Sequence, residues 1–316
     1  MTISPHDNPL TTPEISASTT PTNNYHNTST NNVPLPSLPL PSPSRSPSPP
    51  FRPYRPPPPP TTNNHTTTTT TTDTSILPHG PKSLSSISLH AYLLGILLGL
   101  TSTLTLLPLL YGDPLYTPLW RIPFFLSSLS LFHFLEYYTT AAYNTHFATV
   151  SAYLLTSNGW TYHIAHGSAI LECLLTHTYF TARPVPLYLP PSLTTYQVAV
   201  GLFLMVLGQT IRSVAMAQAG SNFNHTVQVT RREGHVLVTG GVYSVLRHPS
   251  YFGFFWWGLG TQLVLGNGVC FLAYAVVLWR FFSGRIWREE KFLVAFFGEE
   301  YERYRKRSWV GIPGIH

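Results

Sequence analysis

Arg285 and Glu289 stand four residues apart in FFSGRIWREEKF (281–292), a spacing that places both on one helical face. A guanidinium can hold both oxygens of a carboxylate at once, and a carboxylate can complement a cation. Exposed pairs at this spacing are ordinarily surface salt bridges worth a few tenths of a kcal/mol. Phe281, Phe282, Ile286 and Trp287 around this pair argue against so plain a role. Three other polar stretches join it. In GHVLVTGGVYSVLRHPSYFG (234–253), Gly240-Gly241 breaks the chain before a short predicted helix, and Pro249 opens an apolar block. GSNFNHTVQ (220–228) follows another apolar block. FGEEYERYRKR (297–307) is amphipathic, with Phe297, Tyr301 and Tyr304 at helical spacing. The two tyrosines read as interfacial packing, Glu299, Glu300 and Glu302 as a solvated face, and Arg303, Arg305, Lys306 and Arg307 as an anchor to anionic lipid.

Metal chemistry has little support. His133 with Glu136, and His163 with His166, are spaced for one helical face, but the denser histidine boxes of membrane di-iron oxygenases are missing. No metal site is expected, and His133 with Glu136 reads as a polar contact between helices. Cys173 and Cys270 both fall in apolar stretches, so neither a disulfide framework nor a thiolate cage is expected.

The elements that must position these groups follow from composition. Only 9% of the 316 residues are charged, against about 25% in a soluble domain. Residues 1–82 carry seven charges, 83–230 six and 231–316 seventeen, so the middle of the chain has the character of material dissolved in lipid. Residues 1–82 hold 20 of the 30 prolines and seven consecutive threonines, and read as a disordered, partly polyproline-like tail without signal-peptide character. Beyond it, apolar blocks at 89–110, 122–143, 160–180 and 194–217 each approach the ~20 residues of a membrane-crossing helix. Shorter blocks at 251–266 and 268–283, parted by Asn267-Gly268, read as a helical hairpin that either crosses with some mismatch or dips into the bilayer. No dyad alternation favours a barrel. The expectation is an all-α polytopic membrane protein of about six spans, with a membrane-embedded domain over 83–316 whose working part is 219–316.

Six spans place both termini on one side. That side then holds thirteen cations, among them Lys82, Arg212, Arg231, Arg232 and Arg247, against Arg121 and Arg183 opposite, which predicts cytosolic termini. Nucleic acid is a poor partner, because the basic residues adjoin apolar spans instead of forming one exposed face. All four polar stretches then share the cytosolic rim and could line one pocket, wet at one end and greasy at the other. Such a pocket suits a soluble, charged cofactor meeting a lipid-anchored substrate.

GSNFNHTVQ, LVTGGVYSVLRHPSYFGFFWWGLGTQLVLGN, RFFSGRIWREE and FFGEEYERYRKR, in this order and with SLSLFHFLEYYTTA upstream, strongly resemble the isoprenylcysteine carboxyl methyltransferases. The likeness runs through most of 89–316 and is densest from Gly220 onward. RHPSYFG alone is shared with related membrane reductases and amine methyltransferases, whereas GSNFNH and RFFSGRIWREE are more restrictive. The six spans are similar to those of the fungal members, Gly268 stands where proline is more usual, and the tail has no counterpart.

The resemblance implies methyl esterification of the C-terminal prenylcysteine of CaaX-processed proteins, with S-adenosyl-L-methionine as donor, at the endoplasmic reticulum membrane. It implies cofactor contacts at Gln228, His235, Val236, Leu237, Val238, Tyr243, His248, Pro249, Ser250, Tyr251 and Glu289, with Arg285 on the substrate. A lateral opening lined by Phe254, Phe255, Trp256 and Trp257 would admit the prenyl chain. Two rival readings are an NADPH-dependent membrane sterol reductase, which should be longer and lack GSNFNH, and a non-catalytic membrane adaptor that recruits partners through its proline-rich tail.

Overall fold

The computed structural model describes residues 73–112, 118–178 and 191–316, so most of the proline- and threonine-rich tail, Arg183 and the end of the third apolar block lie outside the described residues. Each of the six apolar blocks falls on a helix: α1 (Leu84–Tyr111), α2 (Arg121–Tyr143), α3 (Gly159–Thr178), α4 (Pro191–Ala219), α5 (Pro249–Leu265) and α6 (Val269–Phe297), followed by the short α7 (Glu299–Arg307). Among the described residues no strand forms, and one isolated parallel bridge joins Leu246 to Trp309. α1, α4 and α6 are long and apolar enough to cross a membrane. The 17 residues of α5 reach only about 26 Å, short of a hydrocarbon core of about 30 Å.

The last ten residues of the stretch read as tail are ordered. Asp73 caps a turn at Thr74–Ile76, the Lys82 amide donates to the Ser75 carbonyl at 2.9 Å, and Ser83 caps α1. Along α1, Leu93, Leu97, Leu100 and Leu104 are exposed, as suits a surface facing lipid.

α4 and α5 pack through glycines seven residues apart on each helix, Gly201 and Gly208 against Gly260 and Gly253. A Cβ on Gly208 would stand 2.5 Å from the Gly253 carbonyl oxygen, and one on Gly260 2.7 Å from that of Gly201. Only glycine lets the two backbones touch, the close approach typical of helix pairs in lipid. The expected hairpin is present. Gly266 turns the chain at φ +77°, and Asn267 Nδ2 donates to Gln262 Oε1 and to the Ala169 carbonyl, both at 2.9 Å. Glu172 of α3 then accepts from the amides of Gly268, Val269 and Cys270 at 2.8, 2.8 and 2.6 Å, satisfying the open N-terminus of α6.

α6 runs unbroken to Phe297, 14 residues past the end of its apolar block, so the Arg285/Glu289 stretch continues a membrane helix. Consecutive positions on a helix point about 100° apart, which corrects the expected four-aromatic opening. Phe255 and Trp257 are core residues, Phe254 packs edge-on to Phe132 and Phe282, and Trp256 donates to the Gly311 carbonyl at 3.1 Å.

Candidate active site

Where the C-terminal half of α6 and α7 meet the chain between α4 and α5, an open cavity forms that encloses about 840 Å³ when the solvent at its mouth is counted. Gln228, His235, Val236, Leu237, Val238, Tyr243, His248, Pro249, Ser250, Tyr251 and Glu289 all line it. So do Asn222, Phe292, Phe296, Phe297, Tyr301 and Tyr304, so that all four polar stretches contribute. Arg285 lies beside the cavity and is joined to it through Tyr251. The Tyr251 hydroxyl donates to Glu289 Oε2 and accepts from Arg285 Nε at 2.8 Å, while the guanidinium lies over the tyrosine ring at 5.2 Å. Arg285 and Glu289 thus meet at a shared phenol.

Local chemistry fixes each wall. Pro249 occupies the first turn of α5, where its missing amide hydrogen would have found no partner within the helix and its fixed φ favours the helical start. Asn222 Oδ1 accepts from the Val236 amide at 3.0 Å and Gln218 Oε1 from the Val242 amide at 2.8 Å, holding the 235–243 segment to the end of α4. Leu237 and Val238 direct no backbone N–H to another protein group among the described residues, so this stretch of backbone can serve a ligand. His235 sits edge-on to Phe297 at 5.4 Å, and burial with Arg231 and Arg232 nearby lowers its pKa.

Behind the cavity, Glu290 accepts from Arg247 Nε at 2.6 Å and stands 3.2 Å from His248 Nε2, while Arg247 Nη1 donates to the Ser308 carbonyl at 2.9 Å. His248 is therefore oriented by a buried ion pair. Tyr304 donates to the Tyr243 carbonyl at 2.7 Å. Burial pushes the Tyr304 phenol up to about 12. Tyr301 is only 1% exposed and its hydroxyl has no protein partner among the described residues. These tyrosines form the cavity wall, which corrects their reading as interfacial packing.

A second polar group supports the site from below. Glu136 of α2 grips Arg212 of α4 with both oxygens, at 2.7 Å for Nη2–Oε2 and more closely for Nε–Oε1. Arg212 Nη1 also donates to the Ser250 carbonyl at 3.1 Å, and the guanidinium lies over the rings of Phe132 and Phe254. Arg212, Arg121 and Arg247 are all buried, so these three cations do not face lipid headgroups. His133 does not join this pair: it lies 2.8 Å from the Tyr153 carbonyl and 3.0 Å from the Tyr162 hydroxyl. Among the described residues no group of three or more His, Cys, Asp or Glu could hold a metal ion.

Sequence reasoning missed Glu136, Arg212 and Glu290 as supports of the site. The signal for the first pair was available: two opposite charges inside apolar blocks have a strong physical reason to meet.

The isoprenylcysteine carboxyl methyltransferase family profile matches residues 199–295. The protein-S-isoprenylcysteine O-methyltransferase of Saccharomyces cerevisiae is 44% identical over 233 residues, which cover 73% of this chain and 92% of the relative. The chain belongs to the isoprenylcysteine carboxyl methyltransferase family. The enzyme of the same name from Schizosaccharomyces pombe is 41% identical over 243 residues, 75% of this chain and 98% of the relative. The solved eukaryotic intramembrane Ras methyltransferase of this family superposes with a TM-score of 0.63 at 35% identity, covering 73% of this chain and 77% of that one. Membership sets aside the sterol reductase and adaptor readings. The chain is a methyltransferase acting on isoprenylcysteine carboxyl groups.

Proposed function

We propose that the cavity binds S-adenosyl-L-methionine through Gln228, the 235–238 segment, Tyr243, the 248–251 segment and Glu289, and that Arg285 receives the carboxylate of a C-terminally prenylated CaaX protein. The observation that carries this reading is the Glu289–Tyr251–Arg285 link, which couples the cavity wall to a cation half-buried beside it. The walls suit such a cofactor. Glu289 offers a carboxylate to a cationic group, the Leu237 and Val238 amides offer donors, and Phe292, Phe296 and Phe297 offer flat apolar surface.

When bound, the cofactor supplies a methyl group activated on a sulfonium. The chain's own residues have no proton to remove, since an α-carboxyl group with a pKa of roughly 3.5 is already ionised at neutral pH. Their work is to align the carboxylate and exclude competing water. Arg285 is well placed for the first task. Its Nε is occupied by Tyr251 and its Nη2 by the His225 carbonyl, which leaves Nη1 without a protein partner among the described residues. A carboxylate held through that end alone keeps a second oxygen free to attack. A grip on both oxygens would lower the nucleophile's reactivity.

A bilayer setting follows from the substrate. At about 0.8 kcal/mol per buried CH₂, a farnesyl-sized chain prefers lipid to water by roughly 10 kcal/mol, so an active site at the membrane rim spares it extraction. The helical bundle sits in the endoplasmic reticulum membrane with both termini cytosolic, and residues 83–316 carry the activity. The test is a methyl-transfer assay on membranes expressing the chain, with labelled S-adenosylmethionine and a prenylcysteine analogue beside its non-prenylated counterpart. Transfer to the prenylated acceptor alone is expected. Equal labelling of both acceptors, or of neither, would refute the reading.

A further inference from the structure

We propose that His225 of the GSNFNH stretch is a positioning residue for the prenylated substrate: its ring, lodged against α2, fixes its own carbonyl so that Arg285 presents one free end to the substrate carboxylate. The proposal rests on the function given above and concerns the substrate side alone.

Four contacts define the arrangement. His225 Nε2 lies 3.4 Å from Thr140 Oγ1, and Nδ1 lies 3.7 Å from Glu136 Oε2. Phe223 meets the imidazole edge-on at 5.2 Å, and its carbonyl accepts from Asn144 Nδ2 at 2.9 Å. The ring and the backbone before it are therefore both pinned to the end of α2. The His225 carbonyl, held by these contacts, accepts from Arg285 Nη2. Arg285 stands 60 residues further along the chain on a different helix, so this bond joins the loop after α4 to the substrate arginine. Burial, with Arg212 and Arg285 nearby and Glu136 opposing, holds the imidazole pKa down to about 4. A neutral ring can sit close to two guanidinium groups without repelling them. Since the His225 side chain does not line the cavity, its effect should fall on the acceptor and not on the methyl donor.

The test uses the full-length chain in lipid nanodiscs, comparing wild type with His225→Ala. The expected result is a roughly tenfold rise in KM for S-farnesyl-N-acetylcysteine, the scale of one weakened hydrogen bond to a charged group. The KM for S-adenosylmethionine and the calorimetric Kd for S-adenosylhomocysteine should stay within about twofold of wild type, by the same conversion. An unchanged KM for the prenylated acceptor, or a parallel rise in both KM values, would overturn the proposal, since a merely structural residue would disturb both sides. Thr140→Val removes only the hydroxyl beside the ring and replaces His225→Ala if that variant does not fold. It should shift the same KM alone by about two- to threefold. A wild-type chain that binds S-adenosylhomocysteine yet does not methylate the analogue would overturn the function itself, and this inference with it.

Discussion

Two carboxylates at opposite ends of the α5–α6 hairpin meet very different fates. Glu172 accepts from three consecutive backbone amides and closes the start of α6. Glu289, near the other end of the same helix, engages one phenol, and that phenol is shared with Arg285. At the first end the fold satisfies the polar groups by itself. At the second, polar groups are held in place through one another and face an open cavity. A carboxylate fully engaged by backbone stabilises structure, while one that is oriented yet still open to a ligand can serve chemistry.

The sharpest way to break this contrast is to mutate both ends and compare readouts. Arg285→Ala and Glu289→Gln should each lower methyl transfer by about 10²-fold, the scale of losing one partner of an interfacial charged pair, while membrane insertion and melting temperature hold. Wild-type turnover in either variant would remove that residue from the site. Gly208→Ala probes the helix contact between the two ends. Its Cβ would meet the Gly253 carbonyl at 2.5 Å, so a loss of about 1–3 kcal/mol in stability is expected, read as a lower melting temperature in detergent. Glu172→Gln should cost about 1–2 kcal/mol, with KM values for both substrates unchanged in the folded fraction. A selective KM effect there would erase the distinction drawn between the two carboxylates.

The smallest expected effect is pH dependence. The folded chain keeps His225 neutral down to about pH 4, facing Glu136, Arg212, Arg285 and Thr140, whereas the unfolded chain protonates it near the ordinary 6.5. Above pH 6.5 that preference is fully present. As pH falls from 6.5 toward 4, the unfolded state takes up a proton that the folded state refuses, so stability declines. His235, whose pKa is also lowered, adds in the same direction. A melting-temperature profile should therefore slope downward over this window, and the slope should lessen in His225→Asn.

Much of this was legible in the residues. Apolar blocks located all six long helices, and Asn267-Gly268 located the hairpin turn, because desolvation and turn chemistry act locally. The polar stretches that line the cavity stood out because polar groups beside lipid need a reason to be there. What stayed hidden was long-range pairing. Nothing in spacing joins Glu290 to Arg247 across 43 residues, and Glu136 with Arg212, 76 apart, could be matched only through their shared placement in apolar blocks. The full length of α6 was also hidden, since an apolar count stops at Ser283, just before the charge-rich run from Arg285, although a helix can continue beyond lipid. The four aromatics at 254–257 share no common opening, because composition groups them while helical direction spreads them around α5.

The uninterrupted course of α6 has one more effect. From Val269, beside the turn held by Glu172, to Glu289 is 20 residues, or about 30 Å of helix. That is close to the thickness of the hydrocarbon layer. On the proposed function the helix works as a depth gauge: a start moored at one boundary of the oily slab brings Arg285 and Glu289 up at the other, where a greasy acceptor and a water-borne donor can both arrive.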